Sequence, residues 1–147
     1  MQYNESEFLF ETEVPAGELI VSRTDLNGII TYANDTFVEI SGFSRDELIG
    51  KNHNIVRHPD MPKSVFKNLW NIIKDEKKWS GNVKNIRKDR GFYWVNATIS
   101  GVYKNGELVE YKSIRVPLTY EEKLSSQKEY DALKIKDGEK QRHIIYK

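Results

Sequence analysis

The chain has 147 residues, with 23 Lys and Arg against 22 Asp and Glu, and no cysteine at all. The missing thiol excludes disulfides, thiolate zinc sites, iron–sulfur clusters, thiol nucleophiles and cysteinyl–flavin photochemistry. The balanced charge predicts no phosphate-seeking basic field and no nucleic-acid partner, and the length suits one domain around a single core. Apolar runs such as Leu19-Ile20-Val21 are far too short for a membrane span, and the acidic N-terminus lacks the regions of a signal peptide. The expectation is a soluble, cytoplasmic domain.

In chain order, residues 1–17 read as a mixed, acidic leader or cap, residues 18–117 as the domain proper, and residues 118–147 as a C-terminal helix with a frayed tail. Leu19 to Thr24 reads as a strand. Asn27-Gly28 then marks a hairpin, with Ile29 to Tyr32 returning. Asn34 is an N-cap candidate for a short helix carrying Phe37, Val38 and Ile40 and stopped by Gly42. Ser44-Arg45-Asp46-Glu47 has the form of a capping box and opens a second short helix ending at Gly50. From Met61 to Lys77 the apolar residues Val65, Phe66, Leu69, Trp70 and Ile73 form one stripe at helical spacing. Trp79 to Lys88 returns to period two. Asp89-Arg90-Gly91 turns the chain into a long strand, Phe92 to Tyr103, and Asn105-Gly106 makes a hairpin into Leu108 to Val116. Thr119-Tyr120-Glu121-Glu122 is another capping box, opening a polar helix to about Leu133. Strands and helices segregated in this way predict an α+β fold, an antiparallel five-stranded sheet with helices packed on one face and a flanking terminal helix.

The densest chemistry lies in His53-Asn54-Ile55-Val56-Arg57-His58-Pro59-Asp60-Met61-Pro62. Three readings are open. The plainest is a surface loop entering a helix, with Asp60 as N-cap and Pro62 in the first turn. The second is a metal site of His53, His58 and Asp60, whose spacing matches no familiar ligand pattern. The third is recognition of an anion and a ring, with Arg57 forking onto phosphate and His58 donating or stacking. His58-Pro59-Asp60 also occurs in J-domain co-chaperones, but those are helical hairpins and strands are predicted here.

The strand after the long helix carries a second clue. Period two places Trp79, Gly81, Val83 and Asn85 on one face, with Trp79 and Val83 marking the core side. Asn85 is then partly buried, and a buried amide must find partners or cost about 1–3 kcal/mol. A ligand edge with both donor and acceptor would match it, as would backbone or water in an ordinary core. Gly81 leaves room over the sheet for a ring, although Trp70 and Trp79 taken singly read as core residues.

Together these stretches resemble a PAS domain. The opening is carried by Ile29-Ile30-Thr31-Tyr32-Ala33-Asn34-Asp35-Thr36-Phe37 and by Ser41-Gly42-Phe43-Ser44-Arg45-Asp46-Glu47-Leu48-Ile49-Gly50. The segment His53 to Pro62, then Trp70, Trp79 to Asn85, and Tyr93-Trp94-Val95, is similar to the flavin-binding PAS domain of bacterial aerotaxis and energy-taxis receptors. The resemblance covers roughly residues 18–120. It implies non-covalent FAD whose redox state is reported, with contacts from Arg57, His58 and Asp60, Trp79 against the isoalloxazine and Asn85 on its polar rim. Asn34 and Trp70 are implied as outlying lining positions, and His53 as a further match to the motif. FAD rather than FMN rests on this resemblance, since no dinucleotide glycine fingerprint is present.

A full aerotaxis receptor continues into membrane, HAMP and methyl-accepting regions, whereas this chain stops after one helix. The resemblance therefore implies a separate PAS partner of a methyl-accepting chemotaxis-type or HAMP-containing protein, or an excised fragment, with homodimerisation as a further option. No nucleophile or general base has a convincing partner, so no enzyme is expected. The rival readings are a haem-binding PAS sensor with a histidine ligand, a ligand-free PAS interaction module, and a metal-dependent hydrolase using His53, His58 and Asp60.

Overall fold

The structure, a computed structural model, describes residues 10–76 and 78–139. The first nine residues of the expected leader, Lys77 at the expected helix end and the expected frayed tail beyond residue 139 lie outside the described residues. Five antiparallel strands make one sheet: β1 (Ile20–Thr24), β2 (Ile30–Ala33), β3 (Lys78–Ile86), β4 (Phe92–Lys104) and β5 (Glu107–Pro117), in the order β2-β1-β5-β4-β3. The helices are α1 (Asp35–Ser41), α2 (Arg45–Leu48), a short 3-10 helix (His53–Val56), α3 (Lys63–Glu76) and α4 (Tyr120–Lys136). The class is α+β with an antiparallel sheet, as the order of periods predicts.

Local chemistry sets these boundaries. Asn34 Oδ1 accepts from the Phe37 amide at 3.0 Å, and Ser44 and Thr119 each form the reciprocal capping box with Glu47 and Glu122. Asn105 and Gly106 both have positive φ, 53° and 82°, the backbone that a two-residue hairpin needs to match strand twist.

Register divides the sheet into two faces. Trp79, Gly81, Val83 and Asn85 lie opposite Ile99, Ala97, Val95 and Tyr93, and the row continues through Tyr111, Ser113 and Arg115 to Thr24, Ser22 and Ile20. The layer of α1 to α3 covers this face, contributing Phe37, Leu48, Val56, Leu69 and Ile73 to the core. The terminal helix covers the other face. Tyr130 stacks on Trp94 with centroids 6.4 Å apart and donates its hydroxyl to the Asn82 carbonyl, while Asn82 Nδ2 donates to Ser126 Oγ at 2.8 Å. Lys84 and Ile86 on this face are buried as well, and Lys84 is in contact with Gln127 of α4.

The segment before α3 corrects one expectation. Asp60 does not cap that helix, which begins at Lys63. Its carboxylate is buried, with Lys134 Nζ of α4 at 2.7 Å and Lys84 Nζ of β3 at 3.2 Å. Lys84 also donates to Gln127 Oε1 at 2.8 Å. Burial pushes the Lys84 ammonium below its usual range, opposed chiefly by the Asp60 charge. The carboxylate is taken up by partners distant in the chain rather than by the first turn of α3.

Single backbone bridges tie both sheet edges to the same loop: Ile29 with Asn52 beside β2, and Arg57 with Asn85 on β3. The described part of the leader lies alongside the start of β4, where the Thr12 amide donates to the Phe92 carbonyl at 2.8 Å. Lys123 of α4 holds it through Glu11 and Glu13 at 2.5 and 2.8 Å.

Removing the shared anion should be worse than removing either cation. Asp60→Ala strands two buried ammonium groups and is expected to cost about 3–5 kcal/mol, whereas Lys134→Met leaves the Asp60–Lys84 pair intact and should cost distinctly less. Urea denaturation of the two variants gives the order, and equal losses would contradict the shared-anion arrangement.

Candidate functional site

Between the first sheet face and the α-layer lies a cavity of about 110 Å3 that opens to solvent. Its floor is apolar, from Val83, Ala97, Ile99 and Leu69, and its polar groups come from separate elements.

Arg57 stands at the mouth, exposed, with its guanidinium carbon 3.7 Å from the Phe66 ring centroid. That contact sets the guanidinium against an aromatic face. The backbone bridge to Asn85 then joins the mouth to the cavity wall. Asn85 is buried on β3 beside Val83, on the cavity face that period two assigns it. Trp79 folds back over Gly81, where a Cβ would come within 2.5 Å of the indole, so only glycine admits the ring at this place. The room predicted above Gly81 is thus filled by the protein's own tryptophan. The Trp79 indole N–H donates to Asn68 Oδ1 at 3.3 Å. Trp70 lies half-exposed at the opening, edge-on to Tyr111 with centroids 5.7 Å apart.

His53 enters the cavity from the 3-10 helix. Its ring stacks on Phe37 at 5.7 Å, and Nε2 lies 3.0 Å from both Ser22 Oγ and Arg115 Nη1. Burial, and then the Arg115 charge, push its pKa down to about 3, so the imidazole is neutral and Nε2 accepts from the guanidinium.

Three expected contact residues do not line the cavity. Asn34 staples α1 to β1: its Oδ1 also accepts from the Val21 amide at 3.1 Å, and Nδ2 donates to the Leu19 carbonyl at 2.8 Å. His58 is buried behind the loop, with Nδ1 accepting from the Asp60 amide at 3.0 Å and its ring edge-on to Phe92. Asp60 is committed to the lysines. Among the described residues no three His, Asp or Glu side chains converge as a metal would require, so the geometry of the hydrolase reading falls away. Sequence reasoning missed Arg115, Ser113, Tyr111 and Ser22, all of which line the cavity. The available signal was period two in β5, which turns Tyr111, Ser113 and Arg115 to one face.

A family model described as the PAS fold matches residues 30–115. The chain belongs to the PAS family. This PAS chain is 46% identical over 114 residues to the aerotaxis receptor of Escherichia coli (strain K12), a match covering 78% of the chain and 22% of the receptor. It is 31% identical over 121 residues to the nitrogen fixation regulatory protein of Klebsiella pneumoniae, covering 79% of the chain and 24% of that protein. The chain therefore spans about a quarter or less of these curated relatives. Among solved structures, the light state of the blue-light photoreceptor Aureochrome1 LOV superposes with a TM-score of 0.67 at 22% identity, over 75% of this chain and 90% of that one. The PAS domain of a protein from Colwellia psychrerythraea gives 0.63 at 22% identity, over 69% and 86%. At such identities these two likenesses concern the fold.

The neutral His53 has a consequence for acid stability. As pH falls from about 6.5, the ordinary histidine value, towards about 3, the unfolded chain takes up a proton at this position that the folded chain refuses. The stability associated with His53 is full above the upper value and falls through that window. His53→Gln should flatten the fall relative to the unsubstituted protein, as followed by circular dichroism at graded pH. Parallel curves would place the imidazole in a wetter setting.

Proposed function

We propose that this PAS domain is a cytoplasmic redox or energy-state sensor that binds FAD non-covalently in the cavity and signals to a methyl-accepting chemotaxis-type or HAMP-containing partner. The observation that carries the reading is the cavity wall itself. A buried amide, Asn85, and a tryptophan, Trp79, stand on one strand face, with Arg57 at the mouth. The donor set fits a flavin nucleotide. Among the described residues Ser113 Oγ and Arg115 Nε, on residues that line the cavity, are buried with no hydrogen-bond partner, where buried polar groups ordinarily find one. The similarity to the aerotaxis receptor supports the signalling context. When bound, flavin would supply a reversible redox couple whose edge changes its donor and acceptor pattern with oxidation state.

The chain's own residues then have distinct tasks. Arg57 would fork onto phosphate from the mouth. Trp79 and Trp70 would exclude water and offer flat apolar surface. Asn85 carries opposite hydrogen-bonding ends in nearly the same shape, so it can turn to suit either edge pattern. A difference of about 1 kcal/mol between its two orientations shifts a two-state balance several-fold. Two tethers lead outward from it. The Arg57 bridge reaches the loop directly, and Asp60, three positions later, holds Lys134 of α4. Sheet and terminal helix are accordingly the route by which the bias leaves the domain.

Purified protein should show flavin absorbance that bleaches on titration with dithionite under argon, and mass analysis of the released chromophore should give FAD. Colourless protein that takes up no added FAD would end this reading, and a Soret band would replace it with haem. Arg57→Ala and Trp79→Ala are each expected to lower occupancy about tenfold, equivalent to roughly 1.4 kcal/mol. Asn85→Ser should keep the fold and shift the midpoint potential or lock the output. An unchanged potential and output would remove Asn85 from the switch.

A further inference from the structure

Tyr93 is fully buried on β4, yet among the described residues its hydroxyl has no hydrogen-bond partner. Buried hydroxyls ordinarily find one, since a polar group unpaired away from water is costly. Register makes Tyr93 the direct cross-strand neighbour of Asn85, on the same face of the sheet. Asn85 is among the residues described as lining the cavity, and Tyr93 is not. Whatever the phenol does for a ligand, it therefore does through another side chain.

Two neighbours give the phenol a direction. Burial raises its pKa, and the Arg115 charge and then a polar contact from the Asn85 amide hold the rise back, with the Arg87 charge contributing least. The strand of Tyr93 lies between that of Asn85 and that of Arg115, so the amide and the main cation act from opposite sides of β4. A phenol in the field of a cation turns its oxygen towards the charge and its proton away. That proton is left for the amide, where only Oδ1 can accept it. Asn85 then holds Oδ1 towards Tyr93 and turns its Nδ2 donors into the cavity.

We propose that Tyr93 is a positioning residue for the sensing amide: with flavin in the cavity its hydroxyl donates to Asn85 Oδ1, so that Asn85 presents N–H to the oxidised ring and resists turning when the ring is reduced. The assignment rests on the flavin reading and deepens it, by naming the group that gives the amide a preferred end. Reduction by dithionite, which is oxidised to sulfite, delivers two electrons, and water supplies one proton to the ring edge. An edge position that accepted from Nδ2 then donates, and two donors face each other. Asn85 can relieve this by turning, but the turn takes Oδ1 away from Tyr93 and sets Nδ2 against the phenol proton. The bond between Tyr93 and Asn85 is thus whole with the oxidised ring and lost with the reduced one, and Tyr93 holds the potential down.

The test compares unsubstituted protein, Tyr93→Phe, Asn85→Ser and the double variant for thermal unfolding of the flavin-free form, FAD affinity by fluorescence, and midpoint potential against a reference dye. Tyr93→Phe removes one oxygen that has no partner, so its flavin-free form should unfold no earlier than the unsubstituted protein. Oxidised FAD should bind several-fold more weakly. The potential should rise by a tenfold change in the redox equilibrium, about 30 mV for a two-electron couple. Serine lacks the two opposite ends of an amide, so in the Asn85→Ser background the same substitution should move the potential far less, as expected of a residue acting through its neighbour. A potential that stays or falls, an affinity that does not move, or equal shifts in both backgrounds overturns the assignment and leaves the sensor reading standing. Tyr93→Phe protein that loses stability or does not fold does the same, because the hydroxyl would then serve the core itself. Unsubstituted protein that binds no flavin overturns both.

Discussion

A single carboxylate held between two lysines organises one half of the molecule. Asp60 comes from the loop before α3, Lys84 from the edge strand and Lys134 from the last helix, and among the described ion pairs no other joins these three elements. Charges removed from water must find one another or be very costly, so the loop cannot shift without disturbing either the strand or the helix. Burial of β3 on both faces follows from the same arrangement. With α4 drawn down by Lys134, Trp94 and Asn82 are covered by Tyr130 and Ser126, and the outer row of the strand becomes core.

The cavity face follows a different logic. There Ser22, His53 and Arg115 bond one another, and among the described ion pairs none includes the Arg115 guanidinium. Asn85 and Arg115 stand across β4 from one another, and apolar side chains fill the space between them. One face of the sheet therefore holds its buried charges as ion pairs, and the other buries a guanidinium among neutral partners. His53 belongs to the second face but carries no charge, which lets it sit against Arg115 without repulsion.

Features decided within a few residues were legible in the sequence. The caps at Asn34, Ser44 and Thr119, the Asn105-Gly106 turn and the alternation that turns Asn85 inward with Trp79 all depend on neighbours close in the chain. Features decided by distant partners were not. Asp60 satisfies every local criterion for a helix cap, but its partners are 24 and 74 positions away. Asn34 matched the expected lining set, yet its side chain is used up fastening α1 to β1. Arg115 went unnoticed because an arginine in a strand ordinarily faces water. Its burial becomes evident only once β1 and β4 are known to flank β5.

The loop bridged to Ile29 at Asn52 and to Asn85 at Arg57 touches both margins of the sheet. Its middle is a 3-10 helix, His53–Val56, and four such residues advance the chain by only about 8 Å. The loop thus works as a belt of fixed length buckled to the two outermost strands. The number of residues in that belt bounds how far the two outermost strands can part at this point, and a longer segment would let them stand further apart.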